Sequence, residues 1–318
     1  MNPALRIVIT ARNEAAAIEA FLSSLLRSVA FAEAKWPVQY EIWAVLDECH
    51  DNTERMVRRW PRVTIHHSRG GKVEAQRRGV SAGPFTIFSD ADILLGENVV
   101  CCVTEAMWND PALQVAYPAK RPLLPQRRTL MAEALYCYNR ANGFQERRRY
   151  FNGKFFAIRQ WHIPTRSELE PRLRQLPLDR FYDFHAGMRV DDIYLSRDVL
   201  QRHGADAIRE IAEAEILYRP PETFRGMYRT YHRMRLEIER LNRLFPETAP
   251  AHQQRRYDWA AVRLAPARDR WLWRYFRMAL ALCQVRYACE KFYYQHLASE
   301  ACPPWKPILE TKQLTCSE

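Results

Sequence analysis

The sequence predicts an α/β fold, a mostly parallel sheet flanked by helices on both faces, with a helical appendage at the C-terminal end. Three observations predict it. Apolar runs of strand length alternate with segments of helical periodicity. Several of those runs are apolar on both faces, as in the buried strands of a parallel sheet. Beyond Pro250 the strand patterning stops, and a basic, aromatic, helical pattern takes over.

Arg6 to Thr10 reads as the first strand, and the next segment places Ile18, Phe21, Leu22, Leu25, Leu26 and Val29 on one helical stripe. Asn13 is placed to cap that helix, with Glu14 in its first turn. Glu41 to Leu46 reads as a second strand ending at Asp47, followed by a helix containing Met56, Val57 and Trp60 for which Asp51 or Asn52 is the cap. Arg62 to His66 reads as a third strand. Gly70-Gly71 then turns the chain into a basic helix with Lys72, Arg77 and Arg78. Phe85 to Ile93 is the fourth and most informative run, because its strand ends in Asp90-Ala91-Asp92.

Further on, Val99 to Trp108 reads as a helix, Leu113 to Tyr117 as a strand and Phe151 to Arg159 as a strand with Gly153 where a backbone needs close approach. Asp191-Asp192 precedes a helix containing Ile193, Leu195 and Val199. Ala214 to Tyr218 reads as a last strand, stopped by Pro220-Pro221, and a helix from Thr223 carries Tyr231, Met234, Ile238, Leu241 and Leu244 on its apolar stripe. These boundaries give one α/β domain over residues 1–221, in two parts at 1–95 and 96–221, and a helical region at 222–318.

Composition narrows the class. An apolar fraction of 47 % with 10 glycines excludes a disordered chain, and a net charge of +11 points to an anionic partner. The eight cysteines include Cys101-Cys102 but show no zinc-site spacing, so reduced, mostly buried thiols and a cytoplasmic location are expected. The apolar run near Met1 is too short for a signal peptide, and no run is long enough to span a bilayer. Neither a glycine-rich dinucleotide fingerprint nor a P-loop occurs. A bound nucleotide must therefore be held by side chains and a metal.

Ligands of open α/β sheets bind outside the carboxyl ends of the strands. Glu14, Asp47, Asp90 and Asp92 are collected at that edge, and two carboxylates one residue apart suit a hard divalent cation that shares its shell with phosphate oxygens. Turn formation or helix capping is the alternative for Glu14, Asp90 and Asp92, whereas Asp47, left at a strand tip, has less structural reason to be there. Asp191-Asp192 reads either as a cap or as a general base, since paired carboxylates raise one pKa. The basic stretch from Lys120 to Arg180, with Arg127, Arg128, Arg140, Arg147, Arg148, Arg149, Lys154 and Arg159, is either a solvated face or a surface for an anionic acceptor or membrane. Arg233 and Arg235 either face solvent or grip phosphate. Trp259, Trp271, Trp273, Tyr275 and Phe276, among Arg255, Arg256, Arg270, Arg274 and Arg277, either pack on the catalytic domain or lie in a membrane interface as a peripheral contact.

Val8-Ile9-Thr10-Ala11-Arg12-Asn13-Glu14, Leu46 to Thr53, Gly71-Lys72 through Ala75 to Asp90-Ala91-Asp92, Gly153 to Arg159 and Asp191-Asp192 resemble, in order and spacing, the motifs of the family 2 inverting nucleotide-sugar glycosyltransferases, which have the GT-A fold. The resemblance runs from about Arg6 to Leu241, and it implies a catalytic domain over residues 1–221 with a donor half at 1–95 and an acceptor half at 96–221. Thr10 replaces the usual proline. His232-Arg233-Met234-Arg235-Leu236 lacks the Gln and Trp of the processive members, so non-processive transfer of one sugar is expected.

The resemblance implies a nucleotide site at Thr10, Arg12, Glu14, Asp47, Lys72 and Asp90, with Asp47 on the base. It implies Mg²⁺ or Mn²⁺ held by Asp90 and Asp92, and pyrophosphate contacts from Arg233 and Arg235. It further implies an acceptor side at Gly153 and a catalytic base at Asp192, or its neighbour Asp191. The donor it implies is a nucleoside-diphosphate sugar, UDP-linked by family frequency, and the acceptor an unidentified hydroxyl, lipid-linked or anionic. The cytoplasm, or the inner membrane face, is the implied location.

Two other classes compete. A nucleotidyltransferase uses a similar sheet and metal but favours a glycine-rich basic first loop over Ala11-Arg12-Asn13-Glu14. A nucleic-acid-binding protein accounts for the charge and the aromatics but leaves the strand-tip acids unexplained. No nucleic-acid partner is expected.

Overall fold

The computed structural model describes residues 4–140, 150–184, 187–251, 265–303 and 308–314. Arg147, Arg148, Arg149, Arg255, Arg256 and Trp259 lie outside the described residues.

Eight strands form one sheet: β1 (Ala4–Ala11), β2 (Gln39–Asp47), β3 (Val63–Ser68), β4 (Thr86–Asp90), β5 (Ile93–Leu95), β6 (Val115–Pro122), β7 (Phe155–Ile158) and β8 (Ile208–Tyr218). Their spatial order is β3-β2-β1-β4-β7-β6-β8-β5. The first four pair in parallel, as the strand-helix alternation predicts, and β6 pairs in parallel with β8. β7 enters antiparallel between β4 and β6, and β5 closes the far end antiparallel to β8. The register sets Thr10 beside Asp90 and Ala11 beside Leu46, so the acid-bearing tips of β1, β2 and β4 finish side by side.

The helices are α1 (Ile18–Lys35), α2 (Thr53–Val57), α3 (Lys72–Gly79), α4 (Val99–Asn109), α5 (Leu130–Arg140), α6 (Arg166–Leu173), α7 (Asp192–His203), α8 (Phe224–Leu244) and α9 (Ala267–His296). Alternation along β1 sends Leu5, Ile7, Ile9 and Ala11 to one face and Val8 to the other. The first face packs on α1 and α4. The second meets α3, α5 and α7, and its apolar cluster runs on through Leu236 and Leu241 of α8 into Trp273, Phe276 and Cys283 of α9. Gly79 ends α3 against β1, where an added Cβ meets the Val8 side chain at less than contact distance, so the helix lies as close to the strand as a missing side chain allows.

Several local expectations change. Asn13 does not cap α1; it adopts a left-handed backbone, φ 55°, and its Oδ1 accepts from the His50 N–H at 2.8 Å. The helix starts only at Ile18, so Glu14 lies in the preceding turn rather than in the helix. Asp51 supports α2, accepting from the Thr53 N–H at 3.0 Å. The strand read at Phe151 begins only at Phe155, because 151–154 forms a turn. Three of the seven cysteines among the described residues are buried and all seven are free.

Candidate active site

Five carboxylates and three ammonium groups meet beyond the tips of β1 and β4. Lys72, the first residue of α3, is central. Its Nζ lies 2.7 Å from Asp90 Oδ1 and 3.1 Å from Asp191 Oδ2, and donates to the Gly153 carbonyl at 3.0 Å. Burial alone would lower the Lys72 pKa, but Asp191 and Asp90 outweigh it and hold the ammonium charged. Lys154, beside Gly153 in the turn before β7, donates to Asp92 Oδ1 at 2.8 Å. Burial favours the neutral acid at both members of the D-x-D pair. It prevails at Asp90, whose pKa is raised, whereas Lys154 and its hydrogen bond prevail at Asp92, whose pKa is lowered.

The third ammonium comes from the far end of the chain. Lys312 donates to Glu14 Oε1 at 2.6 Å and to the carbonyls of Arg12 and Asn13 at 2.8 and 3.0 Å. Glu14 Oε2 is buried with no hydrogen-bond partner among the described residues. Burial, with Asp92 close by, pushes the Glu14 carboxyl up to about 8.

Asp191 and Asp192 are adjacent in sequence but differently placed. Asp191 is buried, 4 % exposed, and is held by Lys72 and by the Gln76 amide, whose Oε1 in turn accepts from the Trp161 indole at 3.3 Å. Asp192 opens α7. Its Oδ2 accepts from the Gly153 N–H at 3.1 Å and its Oδ1 from the Ile193 N–H at 2.9 Å. Burial and the neighbouring Asp191 charge raise its pKa above the ordinary carboxylate range. Gly153 does require close approach, but to Asp192: a Cβ there would sit 3.0 Å from Asp192 Cβ and 3.1 Å from its Cγ.

Asp47 is only 2 % exposed, and the chain itself occupies it. Oδ1 accepts from the Gly71 N–H at 3.0 Å and the Ser68 hydroxyl at 3.3 Å, and Oδ2 meets Arg12 at 3.4 Å. Because Gly71 takes φ 92° at the N-terminus of α3, Asp47 fixes the turn that delivers Lys72, and it leans the half-exposed Arg12 over the strand tips. Thr10 is buried beside Asp90 in the register. The two arginines assigned to pyrophosphate are both exposed on α8. Arg235 donates to Glu239 at 2.7 Å, one turn on, and that acid also receives Lys291 at 2.9 Å, so this ion pair belongs to the α8–α9 packing. Glu14, Lys72, Asp90, Asp92, Gly153, Asp191 and Asp192 are thus brought together. Sequence reasoning missed the parts played by Gln76, Lys154 and Lys312, and only Lys154, next to Gly153, carried a local signal.

With all groups ionised, Glu14, Asp90, Asp92, Asp191 and Asp192 exceed Lys72, Lys154 and Lys312 by two negative charges, which one divalent cation balances. The donors are hard carboxylate oxygens, one of them the orphaned Glu14 Oε2, and these suit Mg²⁺ or Mn²⁺. No group of three His, Cys, Asp or Glu side chains placed to hold a metal ion occurs among the described residues.

The sequence matches the family profile "Glycosyl transferase family 2" over residues 6–193, more than half of the chain. The chain belongs to glycosyl transferase family 2. As a family member it is a glycosyltransferase acting on a nucleotide sugar. Among solved structures it is similar to the mannosyltransferase PcManGT from Pyrobaculum calidifontis in complex with GDP-Man and Mn²⁺, at 18 % identity over 91 % of this chain and 79 % of that one, with a TM-score of 0.50. It is also similar to glucosyl-3-phosphoglycerate synthase from Mycobacterium tuberculosis, with Mn²⁺, UDP and glucosyl-3-phosphoglycerate, at 18 % identity over 76 % of this chain and 80 % of that one, with a TM-score of 0.47. At such identity the first likeness bears on the fold alone, and it agrees with the GT-A-type α/β architecture described above. No curated protein matches. Among the described residues no helix is long and apolar enough to cross a membrane.

Proposed function

We propose that this glycosyltransferase moves one sugar, with inversion, from a nucleoside diphosphate to an acceptor hydroxyl, and that Asp192 is its base. The observation that carries the reading is the ammonium of Lys72, which joins Asp90 of the donor half to Asp191 and Gly153 of the acceptor half. One partly buried cation thereby ties the two half-sites together where a sugar would have to lie between them.

The roles follow from the surroundings. Asp191 is occupied by Lys72 and Gln76, so it serves to orient its neighbours. Asp192 keeps a raised pKa, suited to taking the acceptor proton near neutral pH. Two N–H groups aim its carboxylate. A base that deprotonates the attacking hydroxyl directly, without a covalent sugar–enzyme intermediate, gives a single displacement and therefore inversion. Lys72 stays charged beside the departing diphosphate and stabilises it. Arg12, half-exposed at the strand tips, is placed to meet the nucleotide, with Asp47 positioning it.

Asp90 and Asp92 would hold Mg²⁺ or Mn²⁺, with Glu14 facing them. When bound, that cation neutralises charge growing on the leaving diphosphate. UDP is the proposed nucleotide, as the family resemblance implies. Of the readings in other classes, the carboxylate–lysine cluster favours sugar transfer over nucleic-acid binding, since a nucleic-acid surface has no use for five converging acids.

The test is a thermal-shift series with UDP, GDP, CDP and dTDP, each with and without Mn²⁺. A shift that needs both Mn²⁺ and one nucleotide is expected; no shift with any pair sinks the donor-site reading. Asp192→Asn should abolish transfer and leave that shift intact, and transfer at the wild-type rate would remove Asp192 as base.

A further inference from the structure

The helix α9 is apolar on two sides. Its inner face buries Leu272, Trp273, Phe276, Ala279, Cys283 and Tyr287. Its outer face leaves Trp271, Met278, Leu282, Val285 and Phe292 each more than half exposed, and their spacing of seven, four, three and seven residues is one continuous stripe. At about 1.5 Å per residue the stripe runs for roughly 30 Å. Contiguous exposed apolar surface of this kind marks an interaction site.

Charge decides what covers it. Arg270, Arg274 and Arg277 are exposed along the same helix, Arg286 is taken up by Glu290 at 3.1 Å and by the Tyr228 ring, and no acid occurs between residues 270 and 289. A second copy of the chain would bring the same acid-free, arginine-bearing face, so like charge would meet like charge. An anionic surface supplies the charge that a second copy lacks. The distribution of side chains fits a bilayer surface, with Trp271 stacked on Tyr275 (6.1 Å between ring centroids) at one end, Phe292 and Tyr293 at the other, and Met278, Leu282 and Val285 between them. The helix is not apolar enough to cross, so it would lie in the plane of the interface with its arginines reaching the headgroups.

We propose that the outer face of α9 docks this enzyme on an anionic bilayer surface. Trp271, Met278, Leu282 and Val285 enter the boundary between headgroups and acyl chains, and Arg274 and Arg277 bind lipid phosphates. The docking is independent of the donor site, and its test uses no nucleotide.

The test is co-sedimentation of the full chain with vesicles of phosphatidylcholine alone and of phosphatidylcholine mixed equally with phosphatidylglycerol. Binding to the mixed vesicles alone, weakened by added salt, is expected. Arg274→Ala with Arg277→Ala should lower the partition coefficient on the order of 25-fold, about fivefold for each arginine. Leu282→Glu with Val285→Glu should abolish binding while the melting temperature stays that of the wild type, since both side chains point outward. No binding to mixed vesicles, equal binding to neutral ones, or a concentration-dependent dimer that Leu282→Glu dissolves in place of vesicle binding would each overturn the proposal.

Discussion

Replacing Gly153 with alanine adds one carbon where the site has no room for it. The new Cβ would lie 3.0 Å from Asp192 Cβ, 3.1 Å from Cγ and 3.2 Å from Oδ2. Carbon atoms rest at about 3.5–4.0 Å, so the Asp192 side chain must retreat by roughly half an ångström or more. Gly153 does not use a left-handed backbone, so alanine brings no conformational strain, and the cost to folding should be that of mild overpacking, about 1 kcal/mol. The cost to catalysis should be larger, because a misplacement near 1 Å at the reacting groups lowers rates by on the order of 100-fold. We expect Gly153→Ala to lower kcat by about 10- to 100-fold, with the donor KM and the Mn²⁺-dependent nucleotide shift unchanged. Steady-state kinetics at saturating acceptor, beside a thermal melt, measure both. A variant with wild-type kcat would refute the idea that this contact sets the base; a fall in donor affinity without loss of kcat would place Gly153 on the wrong half of the site.

Three other predictions concern different parts of the molecule. Because burial and Asp191 raise the Asp192 pKa, and a base works only when deprotonated, kcat should fall with decreasing pH at a value above the ordinary carboxylate range; a pH–rate profile flat down to pH about 4, the usual carboxylate region, would contradict this. Glu14, pushed up to about 8, is mostly protonated at neutral pH, and a cation at Asp90 and Asp92 should expel that proton. Titration calorimetry of Mn²⁺ into the enzyme with UDP present, in two buffers of different ionisation enthalpy, should then give different heats, and equal heats would count against it. Gly79→Ala should destabilise the fold by about 1–3 kcal/mol through its clash with Val8, read as a lower denaturant midpoint, and an unchanged midpoint would show that α3 can move away from β1.

The first part of the sheet, β1 to β4, was legible because its signals are local. An apolar run such as Ile42 to Leu46 that ends in Asp47 reports both a buried strand and its exposed tip, and the stripe from Ile18 to Val29 reports a helix face. The illegible parts depend on partners remote in sequence or on segments too short for a period. β5 has three residues, fewer than alternation needs to declare itself. Asn13 looked like a cap because a helical stripe begins a few residues after it, whereas its partner is His50 on the neighbouring loop. Asp47 showed no structural use in the sequence, yet it holds the Gly71 N–H across 24 positions. Arg235 matched a family position, but an acid one turn later, Glu239, takes its side chain. The start of α6 was readable: Thr165 and Glu168 form a reciprocal cap of the pattern T-x-x-E, which the basic composition around it obscured.

The clamp of Lys312 on Glu14 spans 298 positions, and this has a consequence for the protein during its own synthesis. At about 5–20 residues per second, Glu14 leaves the ribosome roughly 15 to 60 s before the lysine that will face it. Throughout that interval the β1 loop holds its two carbonyls and its carboxylate without their cation. The nascent β1 loop is therefore an unfinished vessel until the segment 298 positions further along has been made.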